Sequence, residues 1–184
     1  MNRRQFLQAL AVAAGAHASP LSRALAGPVT EAGLAVPPPD WAPAFEGVQE
    51  DLPRQQLAIR GRVPEECHGT LFRNGPALYE RAGQRYQHWF DPDGMIQAFR
   101  FSDSGVSHEG RFVRTRKFMR EAEAGRFLYN GAGSQFPDAL PGRNNETTNV
   151  ANINIQPVGD ELLALWEAGS PYRIDPETLE TRGL

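Results

Sequence analysis

Metal chemistry needs several imidazole, thiolate or carboxylate groups brought together at ligand spacing, and this sequence is sparing with all three. Its histidines are His17, His68, His88 and His108. No two of them lie at the short helical or hairpin spacing of a ligand pair, so each reads as a surface or hydrogen-bonded strand histidine. Cys67 is the only cysteine, which excludes an intramolecular disulfide and a thiolate cluster. Nothing beside it would activate the thiol, so it carries no assigned role. Asp91-Pro92-Asp93-Gly94 begins like a calcium loop, but Met95, Ile96, Ala98 and Phe99 follow where oxygen ligands would be needed. It reads as a turn. Glu167, two residues before Gly169, reads from its neighbours alone as a strand-end carboxylate. Local spacing therefore assigns no catalytic residue and no metal ligand.

The elements that could position such groups are strands. Side chains of different character alternate at period two over residues 86–90 and again over 95–101, with Asp93-Gly94 between them, a hairpin signal. Further strands are predicted over residues 57–62, 70–73, 106–118 (a pair bent near Gly110), 150–156, 161–167 and 172–174, with turns at Gly159-Asp160 and Asp175-Pro176-Glu177-Thr178. In the strand over 150–156 one face is apolar and the other carries Asn152 and Asn154. Residues 119–126 are rich in helix formers and predict a short helix ending near Gly125, followed by loop over 129–143. Asn145-Glu146-Thr147 matches a glycosylation sequon by chance. Successive antiparallel strands without long helices leave a propeller, sandwich or barrel.

Composition agrees with one soluble globular domain: 184 residues, 40% hydrophobic and 22% charged, with 18 Gly and 15 Pro favouring turns and short strands. The formal net charge of -3 offers no basic excess for nucleic acid. The local basic run over residues 111–120 reads as one solvated strand face. At the amino terminus, Arg3-Arg4 precede Phe6-Leu7, an Ala-rich apolar run and a small-residue site at Ala24-Leu25-Ala26. Residues 1–26 thus resemble a bacterial twin-arginine export signal, with an ordinary Sec signal as the alternative. Either one predicts an exported, periplasmic protein. Residues 27–53, centred on Pro37-Pro38-Pro39-Asp40-Trp41, predict an extended arm.

Gly69-Thr70-Leu71-Phe72-Arg73-Asn74-Gly75-Pro76, His88-Trp89-Phe90-Asp91, Asp93-Gly94-Met95, Arg114-Thr115-Arg116-Lys117-Phe118, Ala124-Gly125-Arg126, Asn149-Val150-Ala151-Asn152, Leu163-Ala164-Leu165-Trp166-Glu167-Ala168-Gly169 and Asp175-Pro176-Glu177-Thr178-Leu179-Glu180-Thr181 follow one another in the sequence. Through these motifs residues 57–184 resemble the carotenoid cleavage oxygenase family. The resemblance implies an all-β fold, the amino-terminal blades of a seven-bladed β-propeller spanning residues 54–184. It implies Fe(II) held on the propeller axis by four histidines, and dioxygen splitting a conjugated carbon-carbon double bond of an apolar polyene or stilbene-like molecule. It also implies that Glu167 hydrogen-bonds an iron-ligating imidazole, and allows peripheral membrane contact for substrate uptake. None of the histidines present matches a family iron ligand, the first of which is expected beyond Leu184. At roughly 40 to 50 residues per blade, seven blades need about 300 residues or more. The chain is therefore expected to be the amino-terminal part of a longer enzyme, binding no iron and showing no oxygenase activity alone. A noncatalytic β-rich module for apolar ligands, or a nonfunctional remnant, is the alternative.

Overall fold

The computed structural model describes residues 46–184. The export signal and most of the arm lie outside them. Ten strands and two helices follow one another: β1 (Leu52–Gln56), β2 (Gly69–Leu78), β3 (Glu80–Arg81), β4 (Gln84–Arg85), β5 (Asp93–Ser102), β6 (Gly105–Phe112), α1 (Arg116–Ala124), α2 (Asn145–Thr148), β7 (Asn154–Val158), β8 (Glu161–Leu165), β9 (Tyr172–Ile174) and β10 (Thr181–Gly183). They make two four-stranded antiparallel sheets, ordered β1-β6-β5-β2 and β10-β9-β8-β7, plus the small β3-β4 pair. Each four-stranded sheet has the form of a propeller blade.

The long hairpin of the first sheet is β5-β6, closed where Ser102 pairs with Gly105 around Asp103-Ser104. Asp93-Gly94 is not a hairpin turn. It opens β5, with Gly94 opposite Pro76 of β2, and residues 86–92 form the loop before it. The alternation over 86–90 reflects side chains sorted by a loop, not by a pleat. Likewise residues 57–62 form no strand; β1 precedes them and pairs with β6. Residues 106–118 are one strand and the start of a helix, not two strands. Thr115 ends the extended chain because its hydroxyl accepts the Phe118 N–H at 3.0 Å, an N-cap that starts α1 three residues earlier than the composition predicts. Gly125, at φ +65°, closes α1 in the left-handed conformation glycine takes without strain.

Strand β5 is buried on both faces, and the period-two rule divides its side chains between two cores. Met95 joins Leu78, Tyr86, Phe112, Phe118 and Phe127 on the α1 side. Ile96 and Ala98 join Val113, Leu162, Ala164, Tyr172 and Ile174 between the two sheets. The basic run is divided in the same way: Lys117 is buried on the inner side of α1, while Arg111 and Arg114 are partly exposed and paired with Glu109 and Asp51. It is not one solvated face.

Candidate functional site

The second sheet is entered through residues 149–153, which form no strand; β7 starts at Asn154. The first sheet reads this segment with hydrogen bonds. The Gly94 N–H donates to the Val150 carbonyl at 2.9 Å, and Asn74 Nδ2 donates to the carbonyls of Ala151 and Asn154 at 2.7 and 2.9 Å. Gly94 has to be glycine, since a Cβ there would lie 2.3 Å from the Ala151 oxygen. Asn152 is buried and donates to the carbonyls of Phe90 and Pro92, both at 2.8 Å. Asn149 is buried too; its Oδ1 accepts from Ala151, which sits at φ +44°, and its Nδ2 donates to Ser170. Of the two amides that suggest a polar strand face, Asn152 is thus a buried tie that satisfies loop carbonyls, while Asn154 is exposed and its Oδ1 accepts from Ile155 N at 2.8 Å.

Where these loops meet, a pocket of about 400 Å³ opens, walled by Phe90 and Asp91 from the loop before β5, residues 130–132, and Trp166-Glu167 after β8. Its lining is mixed. Phe90, Val150 and Trp166 offer apolar surface, while Asp91, Lys117, Asn130, Thr148 and Glu167 offer polar groups. The Asp91 carboxylate is fixed by the N–H groups of Ala132 at 2.7 Å and Gly133 at 3.1 Å. Ser134 Oγ accepts from Gln87 N at 2.7 Å, bracing the two loops a second time. Glu167 lies exposed on the turn after β8 and makes no hydrogen bond with the described residues, so its carboxylate is available to the pocket.

Beneath the pocket lies a buried charge cluster. Lys117 Nζ donates to Asp93 Oδ1 at 3.0 Å and to Glu121 Oε2 at 2.9 Å, and all three side chains are 2% exposed or less. Burial would depress the ammonium, but the Asp93 and Glu121 carboxylates outweigh it and hold Lys117 above its ordinary value. Burial raises the Glu121 carboxyl, with Lys117 pulling the other way. The Lys117 ammonium also lies 5.2 Å from the Tyr86 ring centroid. Sequence reading missed this cluster because it places residues 116–118 in a strand; the Lys117 and Glu121 spacing of four would signal it only once α1 is seen to begin at Arg116.

The histidines do not converge. His68 is exposed, 3.9 Å from Asp103; His88 Nδ1 accepts from Phe90 N at 3.3 Å; His108 is hydrogen-bonded to Gln97. His17 lies outside the described residues, and Cys67 is exposed. Among the described residues no group of three His, Cys, Asp or Glu side chains is placed to hold a metal ion. These residues by themselves do not fit a ferrous centre. Of the carboxylates and histidines singled out in the sequence, Asp91 and Glu167 are brought to the pocket.

Two blades, joined by buried amides around a pocket at their common edge, define a partial β-propeller. Residues 45–184 match the family described as retinal pigment epithelial membrane protein, and the chain belongs to that family, the carotenoid oxygenases. It is similar to apocarotenoid-15,15'-oxygenase of Synechocystis, 38% identical over 154 residues, covering 80% of this chain and 31% of that protein. It is also similar to resveratrol cleavage oxygenase 1 of Aspergillus fumigatus, 40% identical over 148 residues, covering 77% and 29%. Among solved structures, a chimera of the Synechocystis enzyme and RPE65 aligns with a TM-score of 0.69 at 38% identity, over 79% of this chain and 31% of that one. The chain thus spans about three tenths of the length of the relatives it matches.

Proposed function

We propose that this chain forms the first blades of an Fe(II)-dependent dioxygenase that cleaves a conjugated carbon-carbon double bond of a carotenoid, apocarotenoid or stilbene-like substrate. Each carbon of the broken bond takes one atom of O2, giving two carbonyl products. The names of the relatives support the reaction class: one is an apocarotenoid oxygenase and another a resveratrol cleavage oxygenase. Metal dependence is supported by a cobalt-substituted form of the Synechocystis enzyme among the solved relatives. Iron supplies the oxygen chemistry when bound, and its imidazole ligands come from outside the described residues.

The observation that carries this reading is the place of Glu167, at a pocket and with no hydrogen-bond partner among the described residues. A carboxylate in that state can accept an imidazole N–H and fix the tautomer and direction of a ligand histidine. Solved variants of the Synechocystis enzyme alter a tryptophan and the glutamate directly after it, and this chain has one such dipeptide, Trp166-Glu167. The mixed lining favours a substrate with an apolar conjugated body and a polar end group. Export to the periplasm rests on Arg3-Arg4 and the apolar run after them. Peripheral membrane contact would suit uptake of so apolar a substrate; no helix among the described residues is long and apolar enough to cross a membrane.

Two measurements test the proposal. The purified 184-residue chain is expected to hold no stoichiometric iron and to leave trans-resveratrol and apocarotenal uncleaved; stoichiometric iron would overturn the placement of the ligands. In a protein that also supplies the histidines, Glu167→Gln is expected to lower metal affinity or activity by roughly 10- to 100-fold with the fold unchanged. Resveratrol binding by the chain without any activity in the histidine-supplied protein would favour a noncatalytic module instead.

A further inference from the structure

The wall of the pocket at residues 130–132 belongs to no helix or strand, yet its neighbours treat it as a fixed frame. Ala132 and Gly133 hold the Asp91 carboxylate, and the Gly131 N–H donates to the Ser134 carbonyl at 3.0 Å. Gly131 packs so tightly that a Cβ would lie 2.2 Å from Asp91 Cγ. A frame with this little clearance has to be held from behind, and the group that does so is Glu121.

The Glu121 side chain is wholly buried and uses its two oxygens for different purposes. Oε2 accepts from Lys117 Nζ at 2.9 Å. Oε1 accepts from the backbone N–H groups of Leu128 at 2.9 Å and Tyr129 at 3.3 Å, the two residues that lead directly into the wall. Lys117 in turn reaches Asp93 on β5, so one carboxylate links α1, the first sheet and the loop. Neutralising Lys117 would need only one oxygen, and Asp93 already supplies it. The second oxygen has no use in the ion pair; its use is to fix where the loop leaves the helix.

We propose that Glu121 is a positioning residue for the pocket: by holding the Leu128 and Tyr129 amides it sets the register of the 130–132 wall, and through it the Asp91 carboxylate. That the pocket receives substrate rests on the reading above; that Glu121 sets its wall does not. The test uses the full chain and two substitutions, read by residue-resolved amide hydrogen exchange and by quenching of tryptophan fluorescence with trans-resveratrol. Glu121→Leu fills the space, leaves Lys117 paired with Asp93 and removes the acceptor. It is expected to speed exchange over residues 128–133 by roughly tenfold or more while β5, β6 and β8 stay protected. Glu121→Gln keeps an acceptor oxygen and is expected to restore most of that protection. Resveratrol affinity is expected to fall with Leu and recover with Gln. Equal loosening of the sheets and the loop in either variant, or equal loss of loop protection in both, would overturn the proposal and leave Glu121 a stabilising charge only. If Leu does not fold, the Gln variant decides by the same comparison of loop and sheet. If the parent chain binds no resveratrol, the stilbene-like part of the substrate reading fails while exchange still decides Glu121.

Discussion

Between β2, β5 and residues 149–154, the two blades are joined by Asn74 and Asn152, neutral amides that reach backbone carbonyls, the latter fully buried. Between β1, β5 and the β9-β10 turn, they are joined by charges: Arg54 Nη2 and Arg100 Nη2 donate to the Glu177 carbonyl at 3.1 and 2.7 Å, and both arginines face Glu109. Arg54 is 49% exposed, and water competes for every bond it makes. The contrast teaches that number of contacts is a poor guide to which tie holds. A buried amide cannot fall back on solvent when its partner is removed, whereas an exposed guanidinium can.

The largest effect is expected where charge and burial coincide. Lys117→Met leaves Asp93 and Glu121 facing each other without a cation, at 0% exposure, and is expected to destabilise the chain by about 3–5 kcal/mol in urea unfolding. A loss below about 1 kcal/mol would break the claim that burial governs. Asn152→Ala comes next. It strands the Phe90 and Pro92 carbonyls, and about 1–3 kcal/mol is expected to be lost. Arg54→Ala tests the other tie: a change of at most about 1 kcal/mol is expected, shrinking further as salt is added. Were Arg54→Ala to cost as much as Asn152→Ala, the comparison would fail.

How far the sequence discloses this arrangement depends on whether the signal is local. The turns at Gly159-Asp160 and Asp175-Pro176-Glu177-Thr178, the end of α1 at Gly125 and the loop over 129–143 are legible because one or two residues determine each of them. The all-β class is legible from the same punctuation. What alternation cannot give is which faces are buried. Tyr86, His88 and Phe90 alternate with Gln87 and Trp89 as a strand would, yet Ser134, forty-six residues from His88, holds them as a loop. Lys117 and Arg116 look alike in a basic run; only the carboxylates of Asp93 and Glu121 mark one of them for burial. Glu167 is legible only by resemblance, since nothing in its own neighbourhood distinguishes it from a strand-end carboxylate.

The smallest effect concerns the exposed tie and is read by pH. Asp175 Oδ1 accepts the N–H groups of Thr178 and Glu177, both at 2.8 Å, and its other oxygen meets Arg182. These backbone donors, with Arg182 adding to them, hold the carboxyl below the usual carboxylate range, at about 2. A folded value below the unfolded one means that the ionised form favours the fold. The contribution is complete above about pH 4, where the carboxyl is ionised in both states, and it is lost as pH falls through about 2. Asp175→Asn keeps an oxygen for the turn but cannot titrate. Acid unfolding followed from pH 5 to pH 1.5 is expected to be slightly shallower in that variant, with the difference confined to the interval below about pH 4. The turn positions the Pro176 and Glu177 carbonyls that receive Arg54 and Arg100, so its loosening should release the exposed tie while the 128–133 amides stay protected. Loss of protection at both places in the same pH interval would show that the two ties are one cooperative unit.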